Sequence, residues 1–248
     1  MMYQDFARVY DALMADVDYP HWAEYYLTLA QRAGVRCLRA ADCACGTGNL
    51  TLALSRLGLS MTGLDQSMEM LRCAGEKARH LGIPVPFVRQ DIRNLLLHRP
   101  MDALFCACDG VNYLTRPEDV EAFFAAAYRA LRPGGGLFFD VSSPYKLETL
   151  LGDHCLGDDN PAASYIWQNH FDPAARLLQM DLTFFVREAD GRYTRFEETH
   201  WQRAHTAAEL TDWLAAAGFA SIALYGDRTL TPPDAQTARL HLSAVRPE

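Results

Sequence analysis

The sequence lacks the features that mark membrane proteins and most nucleic-acid-binding proteins. No stretch is long and apolar enough to span a bilayer, and no run of Lys or Arg occurs. Lys and Arg number 23 against 31 Asp and Glu, so the formal net charge is -8 and a long phosphate-contacting surface is not expected. Residues 1–6 lack the basic region and apolar core of a secretory signal. These absences favour a cytoplasmic protein without a membrane or nucleic-acid partner.

An even set of cysteines, as a disulfide framework requires, is also missing. The seven cysteines fit a reducing compartment better than a secreted one. Cys43 and Cys45, and likewise Cys106 and Cys108, come at the ends of the predicted first and fourth strands. Metal binding or a redox switch is one interpretation of these pairs. Their spacing is not that of a common zinc site, and small thiols suit a packed sheet, so we expect no metal.

Two common nucleotide-binding motifs are absent, and a third pattern stands in their place. With Gly46 as the second glycine of G-x-G-x-x-G, the first and third positions fall on Ala44 and Asn49, a poor match. No lysine followed by Ser or Thr completes a P-loop. Residues 42–48 read instead as D-x-(G/A)-x-G-x-G, between an apolar run and a helix-forming segment. Gly46 and Gly48 permit a ligand to approach the main chain closely.

Two acids follow this glycine loop, each after a short apolar run. Asp65 ends the run 60–64, at about the separation from the loop expected of a ribose-binding carboxylate. Asp91 ends the run 86–90. The ordered set of glycine loop, acid and acid resembles the motifs of class I S-adenosylmethionine-dependent methyltransferases. That resemblance implies that Asp65 accepts hydrogen bonds from both ribose hydroxyls, that Asp91 accepts from the adenine amine, and that Ile92 packs against the ring.

Over nearly its whole length the chain resembles a bacterial subgroup of this family, the YqeM-like proteins, which are related to aminosugar N,N-dimethyltransferases. The likeness depends on F-A-R-V-Y-D at 6–11, D-G-V-N-Y-L at 109–114 and Y-T-R-F-E-E-T-H at 193–200. Two positions depart from the pattern: Ala44 stands where many members have glycine, and Cys43 where an aliphatic residue is common. The resemblance implies an enzyme with S-adenosylmethionine as its cofactor.

Strands that alternate with helices predict an α/β fold, a doubly wound Rossmann-like seven-stranded sheet with an inserted antiparallel β meander. We expect a helical cap over 1–36, with helices at 3–10 and 22–33 separated by Pro20. The cofactor-binding core covers 37–143 and 206–248, and the insertion covers 144–205. The predicted core strands are 38–43, 60–64, 85–89, 102–106, 137–141, 220–225 and 240–245. The predicted meander strands are 164–171, 177–187 and 192–204.

The candidate site residues fall into three groups. Cofactor-binding residues are predicted at Tyr10, Trp22, Asp42, Ala44, Cys45, Gly46, Gly48, Asn49, Asp65, Gln66, Ser67, Met68, Gln90, Asp91, Ile92 and Cys108. Acceptor-binding residues are predicted at Asn112, Tyr145, Tyr165, Trp167, His170 and Arg203. Asp109, Tyr113 and His200 are the candidate catalytic residues, because Asp109 and His200 are able to take a proton and Tyr113 to orient a polar acceptor.

Each of these residues also has a structural interpretation. Asp42 either orients the glycine loop through backbone N–H groups or approaches the amino-acid end of the cofactor. Local turn bonding accounts equally well for Asp109 and Asn112, and a buried structural donor for His200. Leu182, Phe184 and Val186 alternate as an interface strand does, which allows a homodimer.

The leading hypothesis is methyl transfer from S-adenosylmethionine to a nitrogen or oxygen of a small polar metabolite. Methyl transfer needs positioning and exclusion of water, so the lack of a hydrolytic triad is no objection. The alternatives are a methyltransferase for RNA or a ribosomal component, a non-catalytic cofactor-binding scaffold, and an NAD-dependent oxidoreductase.

Overall fold

Eleven strands and six helices make up the part of the chain that the computed structural model describes, residues 7, 9–159, 163–188 and 190–248. The strands are β1 (Arg39–Cys43), β2 (Ser60–Asp65), β3 (Phe87–Arg89), β4 (Met101–Cys106), β5 (Leu131–Ser142), β6 (Cys155–Asp159), β7 (Ala163–Asp172), β8 (Leu177–Arg187), β9 (Tyr193–Arg203), β10 (Ala220–Tyr225) and β11 (Arg239–Val245). The helices are α1 (Tyr10–Leu13), α2 (Tyr19–Arg32), α3 (Asn49–Arg56), α4 (Met68–Leu81), α5 (Pro117–Ala130) and α6 (Ala207–Ala216).

Seven strands form the central sheet in the order β10-β11-β5-β4-β1-β2-β3. The pairs among β1 to β5 are parallel, whereas β11 pairs antiparallel with both β5 and β10. A separate antiparallel sheet has the order β6-β7-β8-β9. The predicted fold class is therefore confirmed. The strand order reverses between β1 and β4, and open α/β sheets bind ligands at the carboxyl ends of strands at such a point.

The core lies on both faces of the central sheet, because successive side chains of a strand point to opposite faces. Phe105 of β4 stacks on Phe138 of β5, with ring centroids 5.7 Å apart, on the face that α2 and α3 cover. Phe139 contacts Phe124 of α5 on the other face, at 5.4 Å. Each of these rings is fully buried. The sheet is thus covered on both sides, as a doubly wound fold requires.

One sequence-based expectation needs correction at the N-terminal side of the fold, and another lies largely outside the described residues. Pro20 does not separate two helices, since α2 begins at Tyr19 and includes Pro20 in its first turn. A backbone N–H is not required there, and Asp18 caps the helix by accepting from His21 N at 3.0 Å. The helix predicted at 3–10 falls largely on residues 1–6 and 8, which lie outside the described residues. The first described helix, α1, begins at Tyr10.

The insertion contains one more strand than the sequence pattern predicts. β6 pairs antiparallel with β7, from Cys155 opposite Gln168 to Asp159 opposite Ser164. All five of its residues are exposed, and its sequence C-L-G-D-D has no alternation of apolar and polar residues to detect. Backbone pairing incorporates it, together with a hydrogen bond from Ser164 Oγ to Asp159 Oδ1 at 2.6 Å. None of the described helices is long and apolar enough to cross a membrane.

Gly63 allows a test of how closely Phe87 of β3 packs against β2. A Cβ added to Gly63 would lie 2.4 Å from Cδ1 of Phe87 in β3. We expect Gly63→Ala to lower the free energy of unfolding by about 1–3 kcal/mol through overpacking. Gly75→Ala is the matched control, because Gly75 lies in α4 with nothing within 4 Å of the added Cβ. It should stabilise the fold by about 0.5–1 kcal/mol in urea denaturation. Equal stability of both variants would contradict the packing of Phe87 against β2.

Candidate active site

A cavity of about 500 Å³ lies at the carboxyl ends of β1, β2 and β4, between the central sheet and the insertion. This volume is in the range of small-ligand sites. Most of the candidate residues line it: Tyr10, Trp22, Asp42, Ala44, Cys45, Gly46, Asn49, Asp65, Gln66, Gln90, Asp91, Ile92, Cys108, Asp109, Tyr113, Tyr165, Trp167 and His200. Their roles stay predictions, but the fold brings them to one space.

The glycine loop turns sharply because three of its residues have positive φ. These are Ala44 (58°), Gly46 (54°) and Gly48 (77°). Ala44 is a non-glycine residue in the left-handed region, which costs about 1–2 kcal/mol. Gly48 is the N-cap of α3 but does not line the cavity, and a Cβ there would meet the Phe87 ring at 2.9 Å. The second glycine is thus explained by packing against β3, whereas Gly46 faces the cavity.

Asp65 at the end of β2 holds the glycine loop through backbone hydrogen bonds. Gly46 N donates to Asp65 Oδ2 at 2.8 Å, and Ser67 N donates to Oδ1 at 2.8 Å. Burial raises the pKa of this carboxyl, and the N–H donors of Ser67 and Gly46 oppose the rise. A carboxylate has about four acceptor positions, and these backbone bonds do not fill all of them. The remaining positions suit the hydroxyl donors of a ribose.

Asp42 at the end of β1 is a fully buried acid in the wall of the cavity. Thr51 Oγ1, in the first turn of α3, donates to Asp42 Oδ2 at 2.5 Å. Burial raises its pKa to about 7, and the Thr51 hydrogen bond opposes this rise. The acid therefore titrates near neutral pH. A cation placed beside it would favour the ionised form.

Asp91 follows β3, and its carboxylate has two positions in the structure, as a cap and as part of the cavity wall. It caps the 3-10 turn Ile92–Asn94 by accepting from Arg93 N at 3.0 Å, and it also lines the cavity. The Arg93 guanidinium pairs with Asp91 at 2.5 Å and with Asp119 at 3.0 Å. Hydrogen bonding from Arg93 lowers the pKa of Asp91, so its carboxylate is available as an acceptor.

Helix α1 is joined to the glycine loop by hydrogen bonds to Asp11, a residue that was not among the candidates predicted from the sequence. Thr47 Oγ1 donates to Asp11 Oδ1 at 2.6 Å, and Asn49 Nδ2 donates to the same oxygen at 2.9 Å. Lys77 of α4 pairs with Asp11 Oδ2 at 2.6 Å. Asp11 is the last residue of the 6–11 motif, so the motif marked a position whose role only the fold reveals. Asn49 thereby serves the loop as well as the cavity wall.

A buried charge network supports the turn after β4. Arg239 of β11 pairs with Asp109 at 2.5 Å and also contacts Asp140 of β5. Asp140 Oδ1 accepts from Tyr26 Oη at 2.7 Å and from Cys108 N at 2.9 Å. Burial alone would raise the pKa of Asp109, but the Arg239 guanidinium outweighs it and the net pKa is lowered. We therefore correct the assignment of Asp109 as a proton acceptor, because a carboxylate so stabilised is a weak base.

The opposite wall of the cavity is the inner face of the insertion sheet. Lining residues alternate along the strands, as the period of a strand requires: Tyr165, Trp167, Met180, Leu182, Phe184, His200 and Gln202. Leu182 and Phe184 thus face the cavity, which corrects their interpretation as an interface strand. Tyr113 Oη lies 3.2 Å from His200 Nδ1, and His200 Nε2 lies 3.1 Å from Glu198 Oε2.

Three predicted cofactor residues and one predicted acceptor residue lie outside the cavity wall. Gly48 packs against β3, as described above. Ser67 caps α4 by accepting from Met70 N at 3.3 Å, and Met68 is exposed to solvent in the first turn of that helix. Tyr145 belongs to the π-helical segment Tyr145–Leu151. None of the four is in the lining, so we no longer assign them to ligands.

Three further acceptor candidates have other partners. Asn112 is fully buried, and its Nδ2 donates to the carbonyl oxygens of Ser142 and Arg203 at 3.0 and 2.9 Å. The Arg203 guanidinium pairs with Glu209 at 3.2 Å and lies over the Trp213 ring. His170 is exposed and pairs with Asp153 at 3.1 Å. Asn112 and Arg203 thus join the insertion to the core, and His170 belongs to the outer surface.

Cysteines contribute to this site as packed thiols. Cys45 and Cys108 line the cavity, and burial raises the pKa of both. All seven cysteines are free thiols. Within the described ranges, no three His, Cys, Asp or Glu side chains are grouped as metal ligands. The high pKa values indicate neutral, weakly reactive thiols at neutral pH.

Comparison with known proteins identifies relatives along the whole chain. A family model described as a methyltransferase domain matches residues 40–135. The chain is 36% identical to the putative methyltransferase YqeM of Bacillus subtilis, over 99% of this chain and 98% of that protein. A solved S-adenosylmethionine-dependent methyltransferase from Clostridium acetobutylicum is 31% identical, with a TM-score of 0.89 and 99% of each chain covered. An amino pentose methyltransferase from Micromonospora echinaspora, at 23% identity with 96% of each chain covered, has the same fold with a TM-score of 0.77.

The buried charge network predicts a large cost for removing its cation. Arg239→Met leaves Asp109 and Asp140 buried without their guanidinium, and we expect the free energy of unfolding to fall by about 3–5 kcal/mol. Arg228→Met is the control, because Arg228 also lies over the Trp22 ring, at 5.9 Å against 5.3 Å for Arg239, but is partly exposed. Its effect should stay within about 0.5 kcal/mol in urea denaturation. A mild effect of Arg239→Met would show that the network is not stabilising the fold.

The raised pKa of Asp42 predicts a specific pH dependence of stability. In the folded protein Asp42 keeps its proton up to about pH 7, whereas the unfolded chain releases it near the ordinary value of 3.8. Its contribution to stability is therefore lost as the pH rises through this interval. Asp42→Asn keeps an acceptor for Thr51 but has no proton to release. We therefore expect the free energy of unfolding of this variant, relative to that of the wild type, to be greater at about pH 8 than at about pH 4. An identical stability difference at both pH values, measured by urea denaturation, would contradict the burial of an ionisable Asp42.

Proposed function

This chain belongs to the S-adenosylmethionine-dependent methyltransferases, and we propose that within this family it methylates a nitrogen or oxygen atom of a small polar metabolite. It is an enzyme, and S-adenosylmethionine is its cofactor. The acceptor class is the proposal. One observation carries it: a single cavity extends from the glycine loop and its acids to the inner face of the insertion.

The residues at the loop fit the cofactor. Asp65 keeps acceptor positions for ribose hydroxyls, and Asp91 is held as an ionised acceptor at the cavity edge. Gly46 presents main chain without a Cβ, with nothing within 4 Å of the place where a Cβ would be. Asp42 would stand beside a cationic part of the ligand. When bound, S-adenosylmethionine supplies a methyl group on a positively charged sulfur.

The far side of the cavity supports a small polar acceptor. Tyr165, Trp167 and Phe184 provide flat apolar surfaces against which a ring is able to pack. Lys146 and Gln202 add polar groups to the same lining. The ammonium of Lys146 makes no ion pair with a carboxylate among the described residues, unlike the cavity's Arg93 and Arg239. An ammonium group without a carboxylate partner is able to donate hydrogen bonds to polar substituents of the methyl acceptor.

The charge distribution disfavours the RNA alternative. Three arginines of the insertion are paired with acids. Arg192 pairs with Asp190 at 2.6 Å, Arg195 contacts Glu197, and Arg203 pairs with Glu209. Arg203 is also buried. A chain with a formal net charge of -8 therefore has little positive surface to offer a phosphate backbone.

The fold alone does not identify the metabolite that accepts the methyl group. The solved neighbour described as an amino pentose methyltransferase is 23% identical, and at that level the likeness concerns the fold. What it adds is that a protein of this fold is described as acting on an amino pentose, which is a small polar acceptor. We keep both nitrogen and oxygen as candidate acceptor atoms.

Cofactor binding and label transfer test the proposal together. At about a hundred times its dissociation constant, S-adenosylmethionine should stabilise the wild type by about 2.7 kcal/mol, seen as a rise in Tm. Asp65→Ala should weaken binding by about 10- to 100-fold in calorimetry, because charged hydrogen bonds to the ribose are lost. Glu69→Ala, at an exposed acid of α4, is the matched control and should bind normally.

The acceptor arm uses S-adenosylmethionine with a labelled methyl group and a cell extract separated into protein, RNA and small-metabolite fractions. We expect label in the metabolite fraction. Label that enters only RNA or protein would overturn the proposed acceptor class, and failure of the wild type to bind the cofactor or its demethylated product would overturn the cofactor assignment.

A further inference from the structure

We propose that Glu198 is a positioning residue that fixes His200 with Nδ1 directed at Tyr113, so that these three side chains take up the proton that the acceptor loses on methylation. This inference rests on the proposed function. It also narrows the acceptor to an atom that carries a removable proton, which is a hydroxyl or a primary or secondary amine.

The three side chains form a continuous chain from the cavity into the protein. Tyr113 ends the 3-10 turn Gly110–Tyr113 after β4, and both Tyr113 and His200 line the cavity. Tyr113 Oη is 3.2 Å from His200 Nδ1, and Glu198 Oε2 is 3.1 Å from His200 Nε2. The side chains of His200 and Glu198 are 2% and 7% exposed. Both belong to β9, two residues apart, and therefore share the inner face of the insertion sheet.

The chemistry of these groups fixes the direction of the hydrogen bonds. An ionised carboxylate is only an acceptor, so His200 Nε2 must carry the proton that it donates to Glu198. A neutral imidazole has one N–H, which leaves Nδ1 as an acceptor. Tyr113 Oη therefore donates to Nδ1. Tyr113 also lines the cavity, where an acceptor hydroxyl or amine is able to donate a hydrogen bond to its oxygen.

This arrangement accounts for the fate of one proton. A nitrogen or oxygen of the acceptor forms a bond to the methyl carbon with its lone pair, while the carbon–sulfur bond breaks and its electron pair stays on sulfur. The acceptor's proton passes to the Tyr113 oxygen as the Tyr113 proton passes to His200 Nδ1. His200 becomes an imidazolium beside the Glu198 carboxylate. The proton later returns to solvent, so the protein is unchanged.

Burial makes the Glu198 carboxylate effective in this role. Charges that are nearly out of contact with water are screened little, so the carboxylate interacts strongly with the positive charge that His200 gains with the transferred proton. It also prevents the imidazole from turning its Nδ1–H toward Tyr113, which would leave no proton acceptor there. A carboxylate that orients a histidine in this way is a recurrent device in proton-transfer sites.

The acceptor class follows from the same route. A hydroxyl, or a primary or secondary amine, must release a proton if methylation of its oxygen or nitrogen is to give a neutral product. A tertiary amine or a thioether has no proton to release at the reacting atom, so the three side chains would have no part in its methylation. The inference therefore excludes quaternary ammonium and sulfonium products.

The first test measures the orientation of His200 without any turnover. In protein labelled with nitrogen-15 at histidine, the side-chain signals of His200 report which ring nitrogen carries the proton; His200→Gln assigns them by their disappearance. We expect Nε2 protonated and Nδ1 unprotonated in the wild type with a neutral ring. In Glu198→Leu, which removes the acceptor, we expect the Nδ1-protonated form to increase. An Nδ1-protonated wild type, or no change in Glu198→Leu, would overturn the inference.

The second test measures turnover with labelled S-adenosylmethionine and the small-metabolite fraction. Glu198→Gln and Tyr113→Phe should each lower the rate of label transfer by about tenfold or more, because the assistance of a general base is lost. The dissociation constant for S-adenosylmethionine and the Tm should change little. Glu197→Gln is the matched control, since Glu197 is the neighbouring residue of β9 on the exposed face. It should retain wild-type turnover.

The outcomes separate this inference from the proposed function. Wild-type turnover in Glu198→Gln and Tyr113→Phe overturns the proton route while the proposed function stands, and so does a labelled product identified as a quaternary ammonium or a sulfonium. A wild type that binds the cofactor but labels no metabolite overturns the proposed function instead. The nitrogen-15 measurement then still decides whether Glu198 orients His200.

Discussion

The buried contacts between Arg239 and the two acids Asp109 and Asp140 constrain the rest of the site. Asp140 is fully buried in β5, and a charge in that position is tolerated only when it is paired and hydrogen-bonded. Pairing of β11 antiparallel with β5 brings Arg239 opposite Ser142, beside that acid. The same carboxylate accepts from Tyr26 of α2 and from the backbone of Cys108. The need to pair the buried Asp140 carboxylate thus holds α2, β5, β11 and the turn after β4 together.

At the glycine loop the balance of charge is different. The acids of the cavity near α5 and β11 have guanidinium partners, as Asp91 has in Arg93. Among the described residues, Asp42 and Asp65 have hydroxyl and backbone donors but no cation. Burial raises the pKa of both, which means that ionising them in place is costly. A positively charged ligand relieves that cost. The loop region therefore favours a cation such as a sulfonium over a phosphate, in agreement with the missing P-loop lysine.

The sequence predicted what local patterns determine, and it failed where distant residues meet. Apolar runs and the glycine spacing located the parallel strands and the cofactor loop, because a strand and the turn after it are encoded within about ten residues. Arg239 was not selected, since its partner Asp109 lies 130 residues away. His170 was selected wrongly, although strand parity argued against it: Tyr165 and Trp167 face the cavity, so the even-numbered His170 must face outward. Which face of the meander covers the site is a tertiary property that no local pattern contains.

The insertion does more than close the cavity, because it contributes two of the three side chains of the proposed proton route. Tyr113 belongs to the core, whereas His200 and Glu198 belong to β9, so their hydrogen-bonded chain exists only when the two parts are docked. Asn112, next to Tyr113, fixes this docking by donating to the carbonyls of Ser142 and Arg203. Asn112, which was predicted from the sequence to bind the acceptor, thereby keeps the side chains of the proposed proton route in register. The cofactor side depends on loops of the core and the acceptor side on alternate residues of a separate sheet. The acceptor is therefore able to change in related chains through substitutions on β7 to β9 that leave the glycine loop intact.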